Sequence, residues 1–187
     1  MSADNFLANQ FLIAMPTLAD PNFSRTVTFL FEHNADGARG IVINRPTKMH
    51  LVEVFQQLQL PCANEPIEHQ LVLQGGPVHI EQGFVIHRPS GQWEYSVNVS
   101  DTIQITTSRD ILAAMARGEG PPSAIVALGF AGWGAGQLEA EIVTNAWLTV
   151  AADDSVLFDL PYEERWHAAA GLLGVDVARL GPEAGHA

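Results

Sequence analysis

A nearly unbroken apolar run from Ala124 to Phe130 leads into a segment carrying glycine at 129, 132, 134 and 136, with tryptophans at 133 and 147. No other part of the chain restricts its fold so sharply. The apolar run reads as a buried strand, and the glycines read as a turn in which bare backbone lies beside the large Trp133 ring. Gln137 to Asn145 follows as a short helix with Leu138 and Ile142 inward, and Trp147 to Ala151 as another strand. The result is a strand-turn-helix-strand unit.

Upstream, Thr26 to His33 is rich in β-branched and aromatic residues and Asn34-Ala-Asp-Gly37 supplies a turn. Arg25 to Arg45 is therefore expected to be a hairpin. Leu51, Val54, Phe55 and Leu58 repeat at three and four, which predicts an amphipathic helix ending before Pro61. Residues 59–69 read as loop. Leu71 to Leu73 and Gly83 to His87 read as strands on either side of Gly75-Gly76-Pro77, and Val97 to Thr106 holds one or two more. Ser108 stands where a helix cap belongs, ahead of the buried stripe Ile111, Leu112 and Met115. A last helix follows Pro161 and runs to Gly174. The tail at 181–187 is expected to be loose. Strands dominate the first half and helices are interspersed, so the class is α+β in one domain spanning 1–187.

With 187 residues, 47% of them hydrophobic, the chain suits a single core. Lys and Arg number 9 against 21 Asp and Glu, a net charge of −12. The basic residues are scattered, which disfavours direct nucleic-acid binding. No apolar run approaches the ~20 residues needed to cross a bilayer, and the N-terminus lacks a basic secretory leader. A cytoplasmic protein without a membrane span is expected. Cys62 is the one cysteine, so neither an internal disulfide nor a cysteine-based zinc cage can form.

The glycine segment follows a strand and precedes a helix, as a phosphate loop does, and Asp153 and Asp154 lie about 20 residues on, as a ribose-binding acid would. Gln137 occupies the place of the third glycine, and too little chain follows for a doubly wound nucleotide fold. Tight packing around Trp133 is the preferred reading. Glu32 and His33 are strand neighbours and point to opposite faces, so they cannot share one proton. The remaining histidines show no metal-like spacing. No G-x-S-x-G elbow or P-loop is present. Gln137, Glu139 and Glu141 either turn a polar face toward the glycines or simply complement the helix dipole. No catalytic set, cofactor or metal is assigned.

Several blocks carry a resemblance. Ile13-Ala-Met-Pro-Thr-Leu-Ala-Asp-Pro-Asn-Phe23, Glu32-His-Asn34, Gly37-Ala-Arg-Gly-Ile-Val-Ile-Asn-Arg-Pro46, Gln74-Gly-Gly-Pro-Val78, Gly83-Phe-Val-Ile-His87, Leu128 to Glu139 and Asn145-Ala-Trp147 resemble the YqgE/AlgH family in order and spacing, over nearly the whole chain. The resemblance implies a single α+β domain with a bifurcated, partly barrel-like sheet surrounded by helices. It further implies a bacterial cytoplasmic family without an established biochemical activity, some of whose members are designated transcriptional regulators of alginate synthesis. Residues in the matching blocks, namely Glu32, His33, Asn34, Asn44, Gly75, Gly76, His87, Gly132, Trp133, Gln137, Glu139 and Asn145, are the candidates for a shared pocket.

Three functions remain in view. One is a non-enzymatic module binding an unknown small molecule or protein in a cleft walled by the two glycine turns, with an indirect regulatory role. The second is an enzyme using His33 or His87 as general base beside a glycine-turn anion site. The third is a regulator that binds DNA, which the net charge disfavours.

Overall fold

The computed structural model describes residues 6–63, 67 and 69–174. The tail over 181–187 lies outside the described residues, as does part of the loop expected over 59–69.

Strand β1 is Gln10–Ala14 and β2 is Val27–Asn34, the latter turning at Ala35 and Asp36 into β3, Gly37–Val42. The Asn34 side chain accepts the Asp36 amide at 2.8 Å, so the turn is held by the asparagine that signals it. Strand β4, Pro46–His50, runs directly into helix α1, Leu51–Gln57, whose Leu51, Val54 and Phe55 are buried. Strands β5, Leu71–Gln74, and β6, Val78–His87, flank the Gly75-Gly76-Pro77 break. Strands β7, Ser96–Asn98, and β8, Gln104–Thr106, form a small hairpin before helix α2, Arg109–Ala116. Ser108 occupies the position before α2 but does not cap it. Its hydroxyl donates to Asp110 Oδ1 at 2.5 Å and accepts the Tyr95 amide at 3.1 Å.

Strand β9 is longer than expected. It spans Ala124–Gly134 and passes straight through Gly129 and Gly132. The turn is confined to Ala135 and Gly136, after which come helix α3, Gln137–Val143, and strand β10, Trp147–Ala151. Two further helices close the described chain: α4, Asp154–Phe158, too short to show a period in the sequence, and α5, Tyr162–Gly171. Asp153 caps α4, its carboxylate accepting the Ser155 and Val156 amides, so this acid serves a helix end and not a ribose.

Among the described residues ten strands make one curled, half-barrel sheet in the order β10-β1-β2-β3-β9-β6-β8-β7, with β4 and β5 off this path. Its bifurcation is centred on β9. The first part of β9 pairs antiparallel with β6 and, through Ala127 and Leu128, parallel with β5. Its last part, Ala131 to Gly134, pairs instead with β3. Where β5 gives way to β3, the chain at 75–76 must cross over β9 in direct backbone contact. A Cβ on Gly76, whose φ is +157°, would stand 2.1 Å from the Phe130 carbonyl carbon, and one on Gly75 would stand 2.3 Å from the Gly129 oxygen. Only glycine fits there.

Apolar side chains gather in three clusters on the faces of this sheet. Phe11, Phe29, Ile41, Ile86 and Trp166 centre the first, under α4 and α5. Leu51, Phe55, Val72 and Ile111 centre the second, under α1 and α2. Leu12, Leu30, Trp133, Leu138 and Trp147 make the third, under α3.

Candidate functional site

The ends of β2, β3 and β9 define an open groove of about 410 Å³, lined by Glu32, Asn34, Asp36, Arg39, Phe130 and Gly132 together with Gly37, Ala38, Val78 and Trp133. The strand register creates it. His33 lies opposite Ala38, and Ala38 opposite Trp133, so alternate residues of three strands share each face. On the groove side Arg39 is ion-paired with Glu32. Its guanidinium also lies over the Phe31 and Phe130 rings, 5.4 and 5.8 Å from their centroids. A cation on an aromatic floor, rimmed by two carboxylates and an amide, can grip a polar planar group by stacking and hydrogen bonding.

Behind the groove, a polar network ties α3 to the sheet. His33, 2% exposed, donates from Nε2 to Glu139 Oε1 across 106 positions of sequence. Phe6 sits edge-on to the His33 ring at 5.1 Å. The Glu139 carboxyl is held below its ordinary range, first by its own backbone amide in the first turn of α3 and then by His33, while burial works the other way. Gln137 Oε1 accepts the Gly134 amide at 2.9 Å, and Gln137 Nε2 donates to Glu141 Oε2 at 3.0 Å. Glu141 Oε1 accepts both indoles, Trp133 at 3.2 Å and Trp147 at 3.0 Å. Of the two sequence readings for these acids, a polar face turned to the glycines describes Gln137 and Glu141. Glu139 also sits where an acid complements the helix dipole.

Of the residues singled out from the sequence, Glu32, Asn34, Gly132 and Trp133 line the groove, and His33, Gln137 and Glu139 lie in the network beside it. The other five are elsewhere. Asn44 fastens the start of β2, accepting the Val27 amide and donating to the Arg25 carbonyl, both at 2.9 Å. Gly75 and Gly76 are packed against β9 at the branch point, so the cleft expected between two glycine turns is filled by backbone. Asn145 is exposed in the turn between α3 and β10, with φ +62°. His87 is fully buried; its Nδ1 donates to the Arg88 carbonyl at 2.8 Å and its Nε2 accepts the Thr106 hydroxyl at 2.7 Å. Burial pushes its pKa down, against the Arg88 contact, and the ring is neutral.

His87 pairs opposite Ala124 at the start of β9, whereas His33 connects through Ala38 to Trp133 near its end. Nine residues of strand separate those positions, up to roughly 30 Å at ~3.3 Å per residue. The two histidines do not share a cavity. Asp36, Arg39, Val78 and Phe130 in the groove, and the role of Glu141, were not singled out from the sequence. Period-two alternation along β3 marks Arg39 as outward, but nothing local marks what it faces. Among the described residues no three His, Cys, Asp or Glu side chains gather as a metal site requires. Nor is any helix among them long and apolar enough to cross a membrane.

A single α+β domain with a curled sheet that divides on one long strand, carrying a polar groove where three strands end, is the class of protein these observations define. Comparison with known proteins places it more closely. Residues 11–178 match the AlgH-like family, DUF179, and the chain belongs to that family. It is 54% identical to a UPF0301 protein of Thioalkalivibrio sulfidiphilus over 187 residues, all of both chains, and 53% identical to one of Nitrosococcus oceani over 182 residues, 97% of each. The solution structure of AlgH from Pseudomonas aeruginosa superposes with a TM-score of 0.78 at 49% identity, covering 96% of this chain and 95% of that one. The crystal structure of DIP2367 from Corynebacterium diphtheriae shares the fold, with a TM-score of 0.69 at 18% identity over 97% and 95% of the two chains.

Proposed function

We propose that this protein is a non-enzymatic binding module of the cytoplasm that takes a small molecule or a partner's side chains in the groove at the ends of β2, β3 and β9. The observation that carries this reading is Arg39, held over Phe130 and against Glu32 at the mouth of a 410 Å³ groove. Both histidines considered as a general base are committed to internal hydrogen bonds, His33 to Glu139 and His87 to Arg88 and Thr106. That engagement favours binding over catalysis.

Any regulatory role is proposed to be indirect. A net charge of −12 disfavours binding to a duplex. A mobility-shift assay should show no salt-sensitive, sequence-specific complex. The binding reading is tested by screening nucleotides, other metabolites and protein partners with thermal shift and tryptophan fluorescence, alongside Arg39→Ala and Phe130→Leu. Ligands that bind the native protein and are weakened by both variants support it. A screen in which nothing binds, or in which both variants bind as the native protein does, overturns it.

A further inference from the structure

A second recess lies where β5 and the start of β9 meet the turn between α4 and α5. It holds about 260 Å³ and is lined by Gln70, Leu71, Leu73, Phe158, Tyr162 and Arg165, among others. Arg165 is only 6% exposed. Arginine is almost never buried so deeply without a carboxylate partner, because the desolvated charge is costly. Here Nε donates to the Leu160 carbonyl at 3.2 Å and Nη1 to the Ile43 carbonyl. Nη2 makes no hydrogen bond among the described residues, and no carboxylate there pairs with the guanidinium.

The same recess receives the positive end of α5. Pro161, which precedes the helix, offers no side chain to cap the first-turn amides, and both Pro161 and Tyr162 line the cavity. Burial lowers the Arg165 pKa to about 10, with Tyr162 and Glu163 working the other way, so the group is charged at neutral pH. The recess is apolar on one side, through Leu71, Leu73 and Phe158, and on the other carries Arg165 beside a first helical turn that also holds Glu163 and Glu164.

We infer that this recess is a binding site for a small organic oxyanion, whose carboxylate or phosphate head meets Arg165 and the α5 N-terminus while a short apolar tail lies on Leu71, Leu73 and Phe158. An anion would sit against the one guanidinium nitrogen, Nη2, that donates no hydrogen bond within the described fold, and would add a close counter-charge to the more distant Glu163. The volume of about 260 Å³, just below the usual range for ligand pockets, restricts the ligand to a few heavy atoms.

The test is titration of the native protein with acetate, butyrate and inorganic phosphate at constant ionic strength. It follows the Arg165 Nε–H signal by ¹⁵N NMR, assigned with Arg165→Lys, and the melting temperature. A saturable shift of that signal is expected. Butyrate should bind about fifteenfold more tightly than acetate, because each buried methylene contributes about fourfold. Phosphate binding more tightly than acetate without a gain from chain length would assign the head group as phosphate within the same site. Leu71→Trp, which fills the recess and leaves Arg165 in place, should lose the shift. The inference is overturned if no anion moves the Arg165 signal at millimolar concentration, or if Leu71→Trp binds undiminished. Arg165 would then be a clamp between α5 and the Ile43 backbone and nothing more.

Discussion

Trp133 and Trp147 donate their indole N–H groups to one and the same oxygen, Glu141 Oε1, at 3.2 and 3.0 Å. The two rings also meet edge-on at 6.0 Å, and both are buried, 6% and 2% exposed. One carboxylate on α3 therefore satisfies two aromatic donors, one from β9 and one from β10.

Removing that acceptor should cost more than its half-buried position suggests. Glu141→Ala strands two buried N–H donors at about 1–3 kcal/mol each, so a loss of about 2–6 kcal/mol is expected in urea unfolding. Glu141→Gln keeps an acceptor oxygen and should lose less than half as much. Equal stability of Glu141→Ala and the native protein would show the indoles to be indifferent to their partner.

Two glycines with positive φ should respond very differently to alanine. At Gly76 the new methyl meets the Phe130 backbone at 2.1 Å, and backbone cannot step aside. Gly76→Ala is expected to be insoluble or unfolded. At Gly136, with φ +74°, nothing lies within 4 Å of the added carbon, so Gly136→Ala should lose only about 1–2 kcal/mol of left-handed strain. Circular dichroism and thermal melts of the pair distinguish contact from strain.

Acidification should destabilise the fold in two windows. His87 titrates in the unfolded chain near 6.5 and lower in the fold, so the unfolded state binds the proton first. Stability from this group is complete above about 6.5 and is lost as pH falls through the lower folded value. Glu139, also depressed in the fold, contributes stability above its ordinary 4.5 that disappears as pH falls through its own lower value. Denaturation midpoints across pH should show the upper window flattened in His87→Gln and the lower one flattened in Glu139→Gln.

Arg39→Ala should leave stability almost untouched. An exposed cation–π contact and a surface ion pair together contribute about 1 kcal/mol or less. Its effect should fall on binding in the groove, read by tryptophan fluorescence with whatever ligand the native protein retains. A large drop in melting temperature would make Arg39 a structural residue.

Much of the architecture was legible because it is local. The β2–β3 hairpin follows from a β-branched run and an Asn-Ala-Asp-Gly turn, and α1 follows from apolar residues spaced by three and four. The glycine segment misled for a physical reason. Glycine marks both turns and close backbone approach, and in β9 its role at 129 is the second, against the 75–76 crossing. The groove was only half visible. Glu32, Asn34, Gly132 and Trp133 meet through the register of three strands, a long-range fact that no local pattern encodes, and Arg39 looked like one more scattered base. Arg165 was likewise one of the scattered basic residues, and its burial shows only when α5 is laid on the sheet.

Because the eleven residues of β9 lend their edges to β3, β5 and β6 alike, the two arms of the sheet among the described residues share one strand. Freeing either arm of the sheet strips hydrogen-bond partners from the strand that anchors the other. Loss of the three apolar clusters in one shared denaturation step is the expected consequence.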